Sequence, residues 1–389
     1  MKYNFDEIID RSGSNALKYD LRKAVFDTDD VIPLWVADMD FRTAQPVIDA
    51  VEAAARLGIY GYTATPERFF RAAADWQKRR HGRQLDTSLL SWSQGVISSL
   101  SACIELFTPA GGAVLIQPPV YHVFRNVITG CDRRVLESPL TERDGGWQVD
   151  WKDFEDKLRR SDMFVLCNPH NPLGKVWEEA DLRRMAELCL RHRVLMVADE
   201  IHCDLLFHGK RHISVANLSP EITANTITLF SATKTFNLAG LQASLAAFPN
   251  LRMKQSFDHW WGRSHISFNN PLALPAVTAA FEQGDEWLDQ LLEYLDGNMT
   301  FVADYCRSRI PQIKTFAPDA TYLMWLDCRE LELNCDELRD FMIQKARLGM
   351  NEGRVFGPGG EGFMRLNAAC PRSVLEEAMQ RLEAAVAAL

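Results

Sequence analysis

The middle of this chain alternates short apolar segments with stretches of helical apolar spacing, and this alternation limits the fold more than any other feature. Residues 113–116, 162–167 and 194–198 are almost entirely apolar, and helical spacing over 180–191 separates the last two. Buried strands that alternate with helices are typical of a mostly parallel sheet covered on both faces. Ligands of such sheets bind beyond the carboxyl ends of the strands. The sequence therefore predicts an α/β fold with a site at that edge.

Polar residues follow three of the predicted strands. Asn171 lies in the run Asn-Pro-His-Asn-Pro-Leu-Gly, Asp199 closes the strand over 194–198, and Lys234 follows the β-branched segment 226–230. A lone lysine after a strand is usually a solvated strand end, but three matched groups in this order are an improbable coincidence. They are the groups that a pyridoxal 5′-phosphate site requires. We predict that Lys234 forms the Schiff base, Asp199 keeps the pyridine nitrogen protonated, and Asn171 donates to the phenolic oxygen.

Further cofactor contacts are predicted beside these three. The run 94–99 opens a helix with a glycine and small residues, so the free amides near Val96 and Ile97 can bind a phosphate. The hydroxyl of Ser231 can be a second phosphate donor. Tyr121 follows a buried strand and can stack on the cofactor ring, although a core or interface tyrosine is nearly as good an interpretation.

Arg365 follows the glycine-rich stretch 357–360 and lies in a predicted strand. A guanidinium group that flexible backbone approaches is suited to hold the α-carboxylate of a substrate through two hydrogen bonds. A structural salt bridge explains the same residue equally well, so both interpretations stay open on the sequence.

The remaining composition excludes several classes of partner. The net charge of −9 disfavours nucleic acid and acidic membrane surfaces, and no apolar run reaches the roughly 20 residues of a membrane span. The amino terminus has no signal-peptide pattern. The nine cysteines are scattered, without a C-x-x-C pair, which argues against a disulfide framework or a zinc site. We expect a cytoplasmic protein without a metal.

The last hundred residues have a different pattern. A long helix over 285–309, a strand over 321–326 and a terminal helix from about residue 373 predict a smaller α+β domain. We expect a large domain over 46–284, and a small domain that combines 1–45 with 285–389.

Five segments together resemble a known family. They are 35–41 (Trp-Val-Ala-Asp-Met-Asp-Phe), 168–177, 199–202 (Asp-Glu-Ile-His), 234–237 (Lys-Thr-Phe-Asn) and 365–372. The chain resembles the fold-type I pyridoxal phosphate enzymes of the class I/II aminotransferase superfamily and, within it, the C–S lyases of the MalY/PatB type. The resemblance spans essentially the whole chain. It implies a mostly parallel seven-stranded sheet in the large domain.

The resemblance also implies roles for individual residues. Lys234 is the catalytic residue, while Arg365, Asn171 and the backbone near Ala37 hold the substrate carboxylate. Tyr62 reaches the phosphate in the neighbouring subunit, so the active unit is expected to be a homodimer.

Two positions depart from the broad aminotransferase pattern. His202 stands where many aminotransferases have a tyrosine that donates to the phenolic oxygen, and we expect it to contact the cofactor. Gln242 stands eight residues after the lysine, where an arginine is familiar. Both departures resemble the C–S lyase branch.

The expected reaction is α,β-elimination from L-cystathionine or a related cysteine S-conjugate to a thiol, pyruvate and ammonia. A small amino acid is therefore the expected substrate. An aminotransferase for aromatic or histidinol-phosphate-like substrates remains an alternative, because it shares the early steps. A regulatory partner-binding role on the same fold is a further alternative, although such a role would not require Asn171, Asp199, Lys234 and Arg365.

Overall fold

The computed structural model describes residues 2–143, 146–263 and 268–389 of the 389-residue chain. The strands are β1 (Ile32–Pro33), β2 (Leu90–Ser93), β3 (Ala113–Ile116), β4 (Arg134–Glu137), β5 (Leu140–Arg143), β6 (Gly146–Val149), β7 (Met163–Cys167), β8 (Leu195–Asp199), β9 (Thr226–Phe230), β10 (Ser244–Ala247), β11 (Leu323–Asp327), β12 (Leu348–Gly349), β13 (Asn351–Glu352) and β14 (Phe363–Asn367).

The helices surround the strands and occupy both ends of the chain. They are α1 (Leu17–Asp20), α2 (Arg22–Phe26), α3 (Gln45–Arg56), α4 (Glu67–His81), α5 (Val96–Phe107), α6 (Val123–Gly130), α7 (Trp151–Leu158), α8 (Glu179–His192), α9 (Pro220–Ala224), α10 (Leu251–Arg263), α11 (Ala273–Gln283), α12 (Asp285–Arg309), α13 (Cys335–Asp340) and α14 (Arg372–Ala387).

The central sheet has seven strands in the order β2-β10-β9-β8-β7-β3-β4. Strand β10 is antiparallel to both of its neighbours, and the other pairs are parallel. This arrangement confirms the predicted α/β class and the mostly parallel seven-stranded sheet. Strands β2 and β10 were not among the segments predicted from the apolar pattern, since β2 contains two serines and β10 is a four-residue segment that begins with one.

Strand β7 shows why this sheet needs helices on both faces. Its side chains alternate, so that Phe164 and Leu166 pack in one apolar cluster with α8, while Val165 and Cys167 pack in another with α5. All five residues of the strand are buried. Truncation of a fully buried ring such as that of Phe164 costs about 3–5 kcal/mol of stability. The helices on the two faces therefore stabilise this strand.

A smaller sheet, β11-β14-β13, lies in the carboxyl-terminal part of the chain. The opening residues contact this part, because β1 pairs with β12 and the ring of Phe5 lies 5.9 Å from that of Trp287 on α12. Helix α12 spans 285–309, as the sequence predicts. The domain limits at residues 45 and 285 stay a prediction.

The order of the parallel strands places three carboxyl ends side by side. Asp199 is the last residue of β8 and is paired in register with Cys167 on β7 and Leu229 on β9. The segments that follow these strands therefore leave the sheet at a common edge. Within the part of the chain that the structure describes, no helix combines the length and the apolar character that a membrane crossing requires.

Candidate active site

A cavity of about 430 Å³ opens at this common edge. Eight of the eleven predicted site residues line it, and Arg365 and Ser231 bond directly to residues that do. The cavity is lined by Ala37, Gln94, Gly95, Val96, Ile97, Ser98, Tyr121, Cys167, Asn171, Asp199, Ile201, His202, Thr233, Lys234, Ala239, Gln242 and Ala243. The structure therefore brings together residues from six separate segments of the chain.

Lys234 lies in the turn that follows β9, and its amine points into the cavity. Its Nζ donates a hydrogen bond of 2.6 Å to the carbonyl oxygen of Ala37. Burial and the nearby positive charge of Arg365 lower the pKa of Lys234 to about 8, although the carboxylates of Asp38 and Asp199 act in the opposite direction. The lowered pKa increases the unprotonated fraction of the amine near neutral pH, and a nucleophile or base must be in this form.

The carboxylate of Asp199 is buried and has few hydrogen-bond donors around it. Its Oδ1 accepts one hydrogen bond of 3.1 Å from the backbone amide of Ile201. Burial raises the pKa of Asp199 to about 7, and the adjacent charge of Glu200 adds to the rise. A cationic ligand group beside this carboxylate would restore its ordinary acidity, because opposite charge favours the ionised form.

Arg365 on β14 crosses from the smaller sheet to the cavity wall. One terminal nitrogen donates to Asn171 Oδ1 at 3.2 Å, and the other donates to the carbonyl oxygen of Trp35 at 2.9 Å and to Asn351 Oδ1 at 2.6 Å. None of these acceptors is a carboxylate, so the guanidinium charge is not neutralised by a direct partner. Its buried Nε has no hydrogen-bond partner. This geometry does not support a structural salt bridge and leaves the charge available to an acidic ligand.

His202 and Tyr121 both line the cavity. Burial, with the positive charges of Lys234 and Arg365, lowers the pKa of His202 to about 3, so its imidazole is neutral. Its buried Nδ1 has no hydrogen-bond partner. Tyr121 is half-buried, and it precedes α6 by two residues.

The predicted phosphate end of the cavity is formed by the amino terminus of α5. Val96 and Ile97 line it, and the helix dipole and free amides favour an anion there. Ser231 does not line the cavity: its hydroxyl donates to the carbonyl oxygen of Ala243 at 2.6 Å and also lies 2.9 Å from Thr233 Oγ1. Thr233 lines the wall instead. Its position beside the lysine was a signal that the sequence analysis did not use.

Tyr62 is the predicted site residue that the structure leaves farthest from these partners. It is 90% exposed and its ring contacts that of Phe268, with 4.8 Å between the centroids. It lies near a second cavity of about 730 Å³ that is larger and apolar. That cavity contains Thr63, Pro66 and Pro271 but none of the residues that bond to Lys234 or Asp199. The chemical groups that line the smaller cavity, rather than the volume of either cavity, therefore identify the site.

Tyr322 is a site residue that the sequence analysis missed. It is fully buried at the start of the segment leading into β11, and its hydroxyl donates to the carbonyl oxygen of Ala37 at 2.9 Å. The same oxygen accepts from Lys234. Tyr322 thereby fixes the backbone that faces the amine. No local pattern distinguishes it from a core tyrosine, because the contact joins residues 285 positions apart.

Comparison with known proteins gives a consistent picture. Residues 29–382 match the family model described as aminotransferase class I and II. The chain is 38% identical over 385 residues to cystathionine β-lyase PatB of Bacillus subtilis, covering 98% of this chain and 100% of that protein. It is 33% identical over 391 residues to protein MalY of Escherichia coli, covering 100% of both chains.

A solved structure is equally similar. The chain superposes on the pyridoxal-phosphate-bound C–S lyase of Staphylococcus hominis, complexed with the inhibitor L-cycloserine, with a TM-score of 0.93 and 31% identity. The match covers 99% of this chain and 98% of that one. The likeness therefore extends over the central sheet, the smaller sheet and the cavity between them.

Proposed function

The chain belongs to the class I and II aminotransferase family, and from this premise we propose that it is a pyridoxal 5′-phosphate-dependent C–S lyase of the cystathionine β-lyase type. The single observation that carries the proposal is the full-length match to cystathionine β-lyase PatB. The family, the fold class and the lyase function predicted from the sequence are thereby confirmed.

The residues of the cavity fit this cofactor. The buried carboxylate of Asp199 lacks a cationic partner and is suited to a protonated pyridine nitrogen. His202 offers an unpartnered buried nitrogen, and the amino terminus of α5 offers amides for a phosphate. Lys234 supplies the amine that holds the cofactor, Asn171 lies beside it, and the half-buried ring of Tyr121 can stack on an aromatic ligand.

When bound, the cofactor supplies an electron-withdrawing ring that stabilises negative charge at the substrate Cα. Asp199 would hold the ring nitrogen and keep it protonated. Lys234 Nζ removes the Cα proton, because its lowered pKa leaves it unprotonated in part at neutral pH. The C–S bond at Cβ then breaks, and the thiolate leaves with a proton from Lys234 or water. Hydrolysis of the remaining fragment gives pyruvate and ammonia.

Arg365 and its neighbours orient the substrate. The guanidinium group donates to the α-carboxylate, with Asn171 and the backbone near Ala37 on either side. Because Arg365 lies in β14 and Lys234 follows β9, the substrate is held by the smaller sheet while the larger sheet presents the base. This division keeps the Cα–H bond directed at the amine.

The proposed working unit is a homodimer, with Tyr62 of each subunit reaching the cofactor phosphate of the other. The exposed apolar side chains of Leu57, Ile59 and Tyr60 lie next to Tyr62 in the chain, and apolar surface of this kind is unusual on a monomer. Sedimentation should give a dimer, and Tyr62→Phe should weaken cofactor binding without separating the subunits. We place the enzyme in the reducing cytoplasm, consistent with its free cysteines.

The test is the release of pyruvate and thiol from L-cystathionine by purified, cofactor-loaded protein without any keto acid. Sustained and equal production of both products is expected. A single change in cofactor absorbance, with turnover only when a keto acid is added, would instead identify an aminotransferase. The two reactions diverge after Cα deprotonation, so this experiment separates them directly.

A further inference from the structure

The carboxylate of Asp204 is the centre of a buried hydrogen-bond network behind the cofactor cavity. Its Oδ2 accepts from Thr235 Oγ1 at 2.7 Å. Its Oδ1 accepts from Trp76 Nε1 at 2.9 Å and lies 2.6 Å from His81 Nε2. Asp204, Thr235 and Trp76 are all buried. Three elements therefore meet at one carboxylate: the loop after β8, the turn after β9, and helix α4.

The loop and the turn in this network carry the two residues that would hold the cofactor ring. Asp199 begins the loop that reaches Asp204, and Lys234 immediately precedes Thr235. The bond between Asp204 and Thr235 ties these two segments directly to each other. Because both the carboxylate and the amine would hold the ring, their separation must be fixed.

Three sets of contacts hold the residues after Lys234 in place. Thr235 is held by Asp204, and the ring of Phe236 stacks on that of Trp287 with 5.5 Å between centroids. The amide of Asn237 donates to the carbonyl oxygens of Met39 and Phe41. Of these three contacts, the first alone is a direct bond to the segment that carries Asp199. Phe236 reaches that segment indirectly, through the ring of Trp76, whose indole donates to Asp204. The hydroxyl of Thr235 therefore has a role that the other two anchors do not share.

A metal site is the competing explanation for this cluster. Ligand atoms of His81, Cys203 and Asp204 lie within 4.8 Å of one another. Both oxygens of Asp204 already accept hydrogen bonds from protein donors, and burial raises the pKa of the Cys203 thiol well above its ordinary value. A cation would have to displace a buried indole and deprotonate a buried thiol. The geometry favours the hydrogen-bonded cluster.

We propose that Asp204 is a positioning residue for Lys234, acting through the hydroxyl of Thr235 to fix the amine relative to Asp199. Burial acts to raise the pKa of Asp204, but hydrogen bonds from His81, Thr235 and Trp76 outweigh it and hold that pKa below its ordinary value. The carboxylate is therefore ionised throughout the neutral range and accepts from Thr235 continuously. The inference rests on the proposed function, because it assigns Asp204 to the placement of the proposed base.

Thr235→Val removes the hydroxyl and keeps the shape of the side chain. We expect kcat for pyruvate release to fall about 10- to 100-fold with KM changed less than about twofold, because Arg365 still holds the substrate. The pH midpoint of the cofactor absorbance should shift by about 0.5 unit or more, because the amine has moved relative to Asp199. Thr235→Ser, which restores the hydroxyl, should recover the wild-type midpoint.

Thr226→Val is the matched control. Thr226 is a buried threonine at the start of β9, the strand that precedes Lys234, and its hydroxyl donates to the carbonyl oxygen of Ile222 at 2.8 Å. This variant should lose stability but keep the wild-type absorbance midpoint and kcat. A Thr235→Val enzyme with the wild-type midpoint and kcat would overturn the proposal, as would the same midpoint shift in Thr226→Val.

Asp204→Asn provides an independent test if Thr235→Val does not fold, because the amide keeps the size of the side chain and loses one acceptor. It should shift the absorbance midpoint in the same direction as Thr235→Val, and an unchanged midpoint would overturn the proposal. These absorbance measurements need no substrate. A wild-type protein that binds cofactor but releases no pyruvate would therefore refute the proposed reaction while leaving the positioning role open to the same measurement.

Discussion

Asp199 and Glu200 are consecutive residues at the end of β8, both buried, and their pKa values move in opposite directions. Burial raises the pKa of Asp199 to about 7, because one backbone amide is its main donor. Burial opposes ionisation of Glu200 as well, yet His212 and Arg83 hold the pKa of Glu200 below its ordinary value. Both carboxylates are buried, so the difference between their pKa values comes from the presence or absence of charged partners.

The groups around the two carboxylates also differ. On the cofactor side, the pKa of Lys234 is lowered to about 8 and that of His202 to about 3, so burial drives both groups toward neutrality. On the other side, Arg83 lies 3.3 Å and His212 3.1 Å from Glu200. Buried groups without partners are unfavourable in a protein alone and indicate where a ligand supplies the missing charges.

The largest effect should come from the cofactor side. Lys234→Ala removes both the amine that holds the cofactor and the proposed base, and we expect kcat for pyruvate release to fall by about 10⁴-fold. Lys254→Ala is the control, because Lys254 forms an ion pair with Asp258 on the outer helix α10, and it should keep wild-type activity. Turnover by the Lys234 variant within tenfold of wild type would contradict the assignment.

Removing the charge of Glu200 and, in a second variant, that of Asp199 should separate effects on stability from effects on activity. Glu200→Gln breaks a buried pair and should lower the free energy of unfolding of the cofactor-free protein by about 3–5 kcal/mol. Asp199→Asn removes an unpartnered buried charge and should raise that free energy at neutral pH rather than lower it, while pyruvate release is lost. Urea denaturation of both variants checks the comparison. Equal losses of stability would show that the two carboxylates are not in different environments.

A substitution at Arg365 tests whether its unpaired guanidinium group binds the substrate. Arg365→Lys keeps the charge but loses the planar fork, so we expect KM for L-cystathionine to rise about 30- to 100-fold. Arg329→Lys is the control, since Arg329 is exposed and already paired with Asp327 and Glu142, and its KM should stay at the wild-type value. Steady-state kinetics distinguish the two, and an unchanged KM in the Arg365 variant would remove this residue from substrate binding.

The sequence predicted the cofactor side better than the partnered side. Asn171, Asp199 and Lys234 follow strands whose apolar pattern is local, and parallel strand order alone brings their ends together. The pairing of Glu200 with Arg83 joins residues 117 positions apart, and no local pattern indicates it. Tyr322 was missed for the same reason, and the bonds of Ser231 to Ala243 depend on a turn that the sequence does not specify.

The smallest effect is a dependence of stability on pH, and it sharpens the comparison because its sign differs between the two carboxylates. The pKa of Asp199 is raised to about 7 in the folded protein, so between its ordinary value and 7 the folded state holds a proton that the unfolded state has lost. Stability due to Asp199 is therefore present at low pH and is lost as the pH rises. Glu200, with a lowered pKa, loses stability as the pH falls.

Cofactor-free wild-type protein should accordingly lose about 2 kcal/mol more than Asp199→Asn between about pH 5 and 6.5, at about 1.4 kcal/mol per pH unit. Urea titrations of both proteins at a series of pH values give this difference. Added pyridoxal 5′-phosphate should abolish it, because a protonated ring nitrogen beside Asp199 restores the ordinary acidity of the carboxyl group. A wild-type slope that matches Asp199→Asn without cofactor would mean that Asp199 already has a partner, and the contrast with Glu200 would fail.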